Sequence, residues 1–170
     1  INTKFIYEGK IIQVRVDTVL LHNKVQTSRE IVTHKDAVVV IPIDSENNVI
    51  MVRQYRHAVQ QTLLEAPAGL IETGETPEDC AIRELQEEIG FLPRQLFALI
   101  GFWPSPGFCT EFIHSYIAKD LVTSKMEADF DENIEVQKIP LPTIPNLIRT
   151  GQIQDSKTIT ALLMATCLSQ

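Results

Sequence analysis

The sequence predicts an α/β (α+β) sandwich: a mixed β-sheet between helices, with a small N-terminal β subdomain. Three observations carry that prediction. Residues 37–43 (AVVVIPI) form a continuous apolar run of strand length, as expected for a strand buried on both faces. Alternating, β-branched segments precede and follow it. Helical patterns over 76–90, 144–150 and 155–169 interrupt and close the strand series, an order that packs as helices against sheets. At 170 residues, 44% hydrophobic, the chain can bury one full core without staples.

From the N-terminus, 10–21 and 25–33 read as a hairpin or meander around His22-Asn23-Lys24. No Gly-, Ser- or Pro-rich linker stands near residue 35, so 1–36 is expected as a β segment packed on a main domain spanning 37–170. Residues 44–48 supply turn chemistry and 49–55 the next strand. The helix over 76–90 has the clearest signals: Thr76 can cap, Pro77 sits at the first helical position, and Gly90 stands at the stop. Ile82, Leu85 and Ile89 give it an apolar stripe. Segments 95–102 and 111–118 read as strands around a Pro104-Ser105-Pro106-Gly107 loop, and 133–139 as a further strand. Phe102 and Trp103 beside that loop read as a buried aromatic pair, with stacking on a ligand's aromatic ring as the alternative.

Charge excludes some functions. With 15 basic and 22 acidic side chains the net charge is −7, which argues against nucleic acid or an anionic membrane as partner. No apolar run approaches the ~20 residues that span a bilayer, and residue 1 opens no signal-peptide pattern. Three cysteines without a CxxC point to a reducing compartment, with the cytoplasm as the expectation. The acidity is unevenly placed: 65–88 hold eight carboxylates against Arg83, and 127–135 hold five against no base. These stretches together carry −12 and leave +5 on the remainder.

On the helix, Glu84, Glu87 and Glu88 stand at i, i+3 and i+4, on the side expected to oppose the apolar stripe. Like charges at that spacing destabilise a bare helix, and Arg83 at i−4 pairs only Glu87. A solvated face is the ordinary reading of such a cluster. A cation site is the other; crowded, oxygen-only ligands select Mg²⁺, Mn²⁺ or Ca²⁺.

Spacing favours the site. The chain reads Gly69, five residues, Glu75, seven residues, Arg83-Glu84-Leu85, one residue, Glu87-Glu88, one residue, Gly90-Phe91. This resembles the Nudix box in every defined position. Seven fixed identities coincide on the order of once in 10⁸ starting points at average residue usage. The resemblance implies a loop–helix–loop that holds two or more Mg²⁺ ions, with Mn²⁺ as a substitute, beside a diphosphate. It implies Glu84, Glu88, Glu87 and the carbonyl of Ala68 as metal ligands, with Arg83 and Glu75 keeping helix and loop in register.

Outside the box, Ser105-Pro106-Gly107, the run Glu65-Ala66-Pro67-Ala68-Gly69 and the strand end Arg53-Gln54-Tyr55-Arg56 are similar to the ADP-ribose pyrophosphatase branch of that family. The branch implies substrate contacts from Arg56, Arg29, Glu30 and the 105–107 loop, Arg being suited to bidentate phosphate contact. It also implies that 127–135 is a catalytic loop in which Glu132 is the base and a further metal ligand. Asp129 and Asp131 are the substitutes, because the family's second glutamate is replaced here by Phe130. Glu132, Glu87 and Arg83 are thus the expected catalytic residues. The four histidines show no metal-ligand spacing and read as structural. The implied activity is Mg²⁺-dependent hydrolysis of ADP-ribose, or a related nucleoside-diphosphate sugar, to AMP and ribose 5-phosphate by a homodimer. The alternatives are a Nudix hydrolase of another diphosphate, such as a GDP-sugar or a dinucleotide, and a silent Nudix-fold binding module.

Overall fold

The computed structural model describes residues 2–126 and 134–168. Its elements are β1 (Asn2–Glu8), β2 (Gln13–Leu20), β3 (Gln26–Thr33), β4 (Ala37–Pro42), β5 (Asn48–Arg56), β6 (Gln61–Glu65), β7 (Ala68–Leu70), α1 (Pro77–Glu84), β8 (Phe91–Ala98), β9 (Ile113–Thr123), β10 (Glu135–Pro140), α2 (Ile144–Arg149) and α3 (Ser156–Leu168). A π turn, Leu85–Ile89, continues α1, and a 3₁₀ turn, Leu141–Thr143, leads into α2.

The expected mixed sheet is β7-β4-β9-β8, in which β4 and β9 are parallel and the other pairs antiparallel. A separate antiparallel sheet, β10-β5-β6, completes the sandwich, and β1-β2-β3 forms the N-terminal sheet. The all-apolar β4 is buried along its whole length, with one apolar cluster on each face. Val38 and Val40 meet Cys80, Ala81 and Leu85 of the α1 region, while Val39 and Ile41 meet Ala161 and Leu162 of α3. The strand expected over 95–102 forms instead at Phe91–Ala98, directly after the Gly90 stop. Its Pro93 costs no ladder bond between central strands, because β8 is an edge strand. Trp103 is 59% exposed and packs edge-on against Phe112 at 4.8 Å, so the expected buried pair with Phe102 does not form.

The N-terminal sheet is tied to the main body through the end of β3. The Val32 amide donates to Phe108 O at 2.8 Å, and the Thr110 amide to Val32 O at 3.0 Å. All seven residues of β1 are exposed, among them Phe5, Ile6 and Tyr7.

The turn between β4 and β5 is organised by Asp44, which accepts from the amides of Glu46 (3.0 Å) and Asn48 (2.9 Å) and pairs with Lys138 of β10 (3.0 Å). Burial alone would raise this carboxyl, but the Asn48 amide, Lys138 and the other donors hold it at about 2, below its ordinary 3.8. Its contribution to stability is therefore complete above pH 3.8 and lost as pH falls towards 2. Asp44→Ala is expected to cost about 1–3 kcal/mol in urea unfolding near pH 7. The difference from the wild type should shrink over that acid window; a constant difference would assign the loss to packing.

Candidate active site

The helix that carries the carboxylates is fixed at its start by Thr76, which accepts from the Asp79 amide at 3.1 Å and donates its hydroxyl to Asp79 Oδ2 at 2.7 Å. Its buried face consists of Cys80, Ala81, Glu84, Leu85, Glu88 and Ile89, while Ile82 is only half-buried. The expected opposition of carboxylates and apolar stripe is thus corrected: Glu84 and Glu88 lie on the packed side, 8% and 6% exposed. Two causes are visible. Cys80 and Ala81 are small and let the helix approach β4 and β7 closely. In the π turn the Gly90 amide donates to Leu85 O, five residues back, so the last turn is wider than an α-helical one and keeps both Glu88 and Ile89 on the packed side. Gly90 closes the turn at φ +75°, a conformation that favours glycine.

The β6–β7 loop receives these carboxylates. The Ala68 amide donates to Glu88 Oε2 at 3.1 Å. A Cβ built on Gly69 would lie 1.8 Å from Glu84 Oε1, so the carboxylate occupies the space any other residue would fill. Arg83 joins loop to helix. It donates to Glu75 Oε1 and Oε2 (2.8 and 3.1 Å), to Leu70 O (3.1 Å), and through Nη1 to both Glu84 Oε1 (2.7 Å) and Glu87 Oε2 (2.8 Å). Arg83 therefore pairs Glu84 as well as Glu87, because one nitrogen reaches both. Its hydrogen bonds hold Glu75 down at about 2 against the opposing effect of burial, and the Glu72 amide assists. Burial pushes the Cys80 thiol up to about 12, which favours its protonated form.

Beside this helix lies a cleft of about 370 Å³ lined by Arg56, Ala68, Gly69, Pro104, Glu111 and Lys157 among others. Arg56 forms a bidentate pair with Glu65 (2.8 and 2.7 Å), a carboxylate with no exposure. Lys157 pairs with the same Glu65 and, at 3.0 Å, with Asp155. Asp155 in turn accepts from the Thr158 amide and hydroxyl, and Thr158 Oγ1 accepts from the Ala66 amide at 2.9 Å. Burial would raise the Glu65 carboxyl, but Arg56 and Lys157 outweigh it and hold the group below its ordinary value. A smaller cleft of about 220 Å³ lies past the other end of the helix, lined by Glu87, Glu88, Ile134 and Val136 among others.

The predicted residues are only partly brought together. Arg56, Ala68, Arg83, Glu84, Glu87 and Glu88 converge on the helix and its two clefts. Arg29 and Glu30 stand exposed on β3, and the Arg29 guanidinium donates to Ser28 O at 2.9 Å rather than lining the Arg56 cleft. Of the proline loop it is Pro104 that lines this cleft. Ser105, Pro106 and Gly107 form the turn beyond, where Ser105 O accepts from the Cys109 amide at 3.0 Å. Glu132, with Asp129, Asp131, Glu127 and Phe130, lies outside the described residues. Sequence reasoning missed Glu65, Asp155, Lys157 and Thr158 as a unit. An acid between Leu64 and Ala66 in an apolar stretch was one available signal, and an Asp three residues before a Thr at a helix start was the other.

Among the described residues, no three acidic, His or Cys side chains form a ready cation cage. The donor set still fits a hard divalent ion: two nearly buried carboxylates, a third half-buried, and a glycine that leaves room only for carboxylate oxygens. Water and substrate oxygens would complete the coordination.

An α+β sandwich with a carboxylate helix pressed against a glycine loop, beside an arginine-lined cleft, defines a class of acidic-site hydrolases. The family model of the NUDIX domain matches residues 33–162, and the chain belongs to the Nudix hydrolase family. It is 39% identical over 159 residues to the ADP-ribose pyrophosphatase of Bacillus subtilis (strain 168), covering 92% of this chain and 86% of that protein. It is 41% identical over 164 residues to the Methanol dehydrogenase activator of Bacillus methanolicus, covering 95% and 89%. Its fold matches the crystal structure of an ADP compounds hydrolase with a TM-score of 0.90 at 24% identity, over 97% of this chain and 90% of that one.

Gly69→Ala places a methyl group where the Glu84 carboxylate lies and must displace one of them. We expect Mg²⁺ affinity to fall by about ten- to a hundredfold, measured by calorimetric titration. Unchanged affinity would show that Glu84 is not held for the cation.

Proposed function

We propose that this protein hydrolyses the diphosphate of ADP-ribose in a Mg²⁺-dependent reaction, adding water across the P–O–P bridge to give AMP and ribose 5-phosphate. The observation that carries the reading is the juxtaposition of Glu84 and Glu88, buried against Ala68 and Gly69, with the cleft lined by Arg56. The extent of the similarity to the Bacillus subtilis enzyme supports it. Glu84, Glu87, Glu88 and the Ala68 carbonyl would hold the cations. When bound, the ions supply charge neutralisation of the diphosphate and activation of a water. Arg83 orients Glu84 and Glu87, and Arg56, oriented by Glu65, contacts the diphosphate. Glu132 takes the proton of the attacking water, with Asp129 or Asp131 in reserve.

The reading extends to a homodimer. Residues 1–36 form its dimerisation sheet, presenting Arg29 and Glu30 to the second protomer's site, and the 105–107 turn closes around the substrate. The exposed apolar side chains of β1, and the exposure of Arg29 and Glu30 outside the lining of the Arg56 cleft, support this arrangement. The three cysteines are unpaired, in keeping with a reducing, cytoplasmic setting; among the described residues no helix is long and apolar enough to cross a membrane. A second reading, action on a dehydrogenase, is favoured by the similarity to the Methanol dehydrogenase activator of Bacillus methanolicus.

The test is a substrate panel with Mg²⁺: ADP-ribose, ADP-glucose, GDP-mannose, NADH and dinucleoside polyphosphates, with an alcohol dehydrogenase assayed alongside. AMP and ribose 5-phosphate should form fastest from ADP-ribose, chelation should abolish turnover, and Mg²⁺ should restore it. No product from any member would favour a silent binding module. Glu84→Gln and Glu88→Gln are each expected to lower kcat by at least about 10²-fold with the circular dichroism unchanged. Glu132→Ala should lower kcat more than it raises KM; an unchanged kcat would move the base to Asp129 or Asp131.

A further inference from the structure

Gln54 is 8% exposed, and its side-chain Nε2 has no hydrogen-bond partner, the one such buried side-chain polar atom among the described residues. A buried amide donor left unmet is costly, and such groups gather where a ligand completes them. Strand alternation places Gln54 on the face of β5 that carries Ile50 and Val52, the face packed on Leu85 and Ile89 of the carboxylate helix.

Register locates it further. Val52 is opposite Glu65 and Gln54 opposite Leu63 on β6, so the Arg56–Glu65 ion pair closes across the rung that Gln54 occupies. On the other side Val136 is opposite Val52, and Ile134 stands one residue beyond the Glu135–Arg53 rung. Ile134 and Val136 line the small cleft with Glu87 and Glu88, and Arg56 lines the larger one. Gln54 therefore occupies the strip of sheet between the two clefts. A diphosphate that reaches from the carboxylate helix to Arg56 lies across this strip.

We propose that Gln54 is a substrate-contacting residue whose Nε2 donates to a non-bridging oxygen of the bound diphosphate. This rests on the diphosphate-hydrolase reading given above. The residue type suits the position. Arg56 spends Nε and Nη2 on Glu65, so it has fewer donors left for the diphosphate, and a further cation here would compete with the metal ions. A neutral amide supplies a directed donor without that repulsion. The orphaned donor also sets the expected cost of losing it, because the unliganded protein gains nothing from it.

Gln54→Met keeps the length of the side chain and removes the donor. Its melting temperature without ligand is expected to equal or exceed that of the wild type. Its kcat/KM for ADP-ribose should fall by about ten- to a hundredfold. The stabilisation produced by Mg²⁺ with the non-hydrolysable α,β-methylene analogue of ADP-ribose should shrink. Gln54→Glu, which puts an acceptor in place of the donor, should lose more of both. A Gln54→Met protein that melts several degrees lower but keeps wild-type kinetics and analogue response would make Gln54 a structural residue and overturn the proposal. So would a variant unchanged in all three measurements. A wild type that neither hydrolyses ADP-ribose nor responds to the analogue would instead remove the parent reading, and this contact with it.

Discussion

The site depends on how closely one helix lies against one loop. Glu84 fills the volume beside the Gly69 Cα, and Glu88 accepts from the Ala68 amide. Both contacts require the helix to sit within a side chain's width of β7. The small residues Cys80 and Ala81 on its packed face permit that approach, with Val38 and Val40 of β4 as the floor. Larger apolar residues at 80 and 81 would make a better hydrophobic contact by area alone. They would also lift the carboxylates out of reach of the loop. The core here is shaped to position charge at its edge.

Placing carboxylates at a core edge creates an electrostatic difficulty that the chain meets with three cations, one on the helix side and two on the sheet side. Arg83 neutralises the helix side by joining Glu75, Glu84 and Glu87. Arg56 and Lys157 neutralise Glu65 on the sheet side, and Asp155 holds Lys157 in turn. An unpaired carboxylate with no exposure would cost several kcal/mol, so Glu65 is sustained only by its partners. The Asp155–Thr158–Ala66 hydrogen bonds then tie α3 to the loop that carries Ala68. A helix nearly ninety residues further along the chain thereby fixes the backbone beneath the proposed cation site.

Local rules made much of this legible. The apolar run at β4, the Thr76 cap, the Gly90 stop and the spacing from Gly69 to Gly90 each rest on interactions within a few residues, and sequence reports these directly. What escaped depends on long-range packing. The packed placement of Glu84 and Glu88 follows from a π turn and from small residues meeting a distant strand, and a 3.6-residue period does not encode either. The partners of Glu65 are nine and ninety-two residues away, so no window of sequence contains them. The polar strand residue Gln54 read as part of a motif end, because only the strand register shows what it lies between.

Arg83 resolves the apparent conflict between pairing these carboxylates and freeing them for a cation. It takes Oε1 of Glu84 and Oε2 of Glu87 through a single nitrogen, so one charge-assisted donor fixes the orientation of both side chains. Glu84 and Glu87 would hold a cation while the guanidinium keeps their orientation, with the negative charge shared between the two. In that arrangement Arg83 need not leave when metal enters. It limits the rotation of both side chains, so less ordering entropy is lost on binding. It also weakens each ligand's charge, which favours ions that bind reversibly and retain exchangeable water. Exchangeable water is what hydrolysis of a diphosphate requires, so the clamp and the proposed chemistry make the same demand on Arg83.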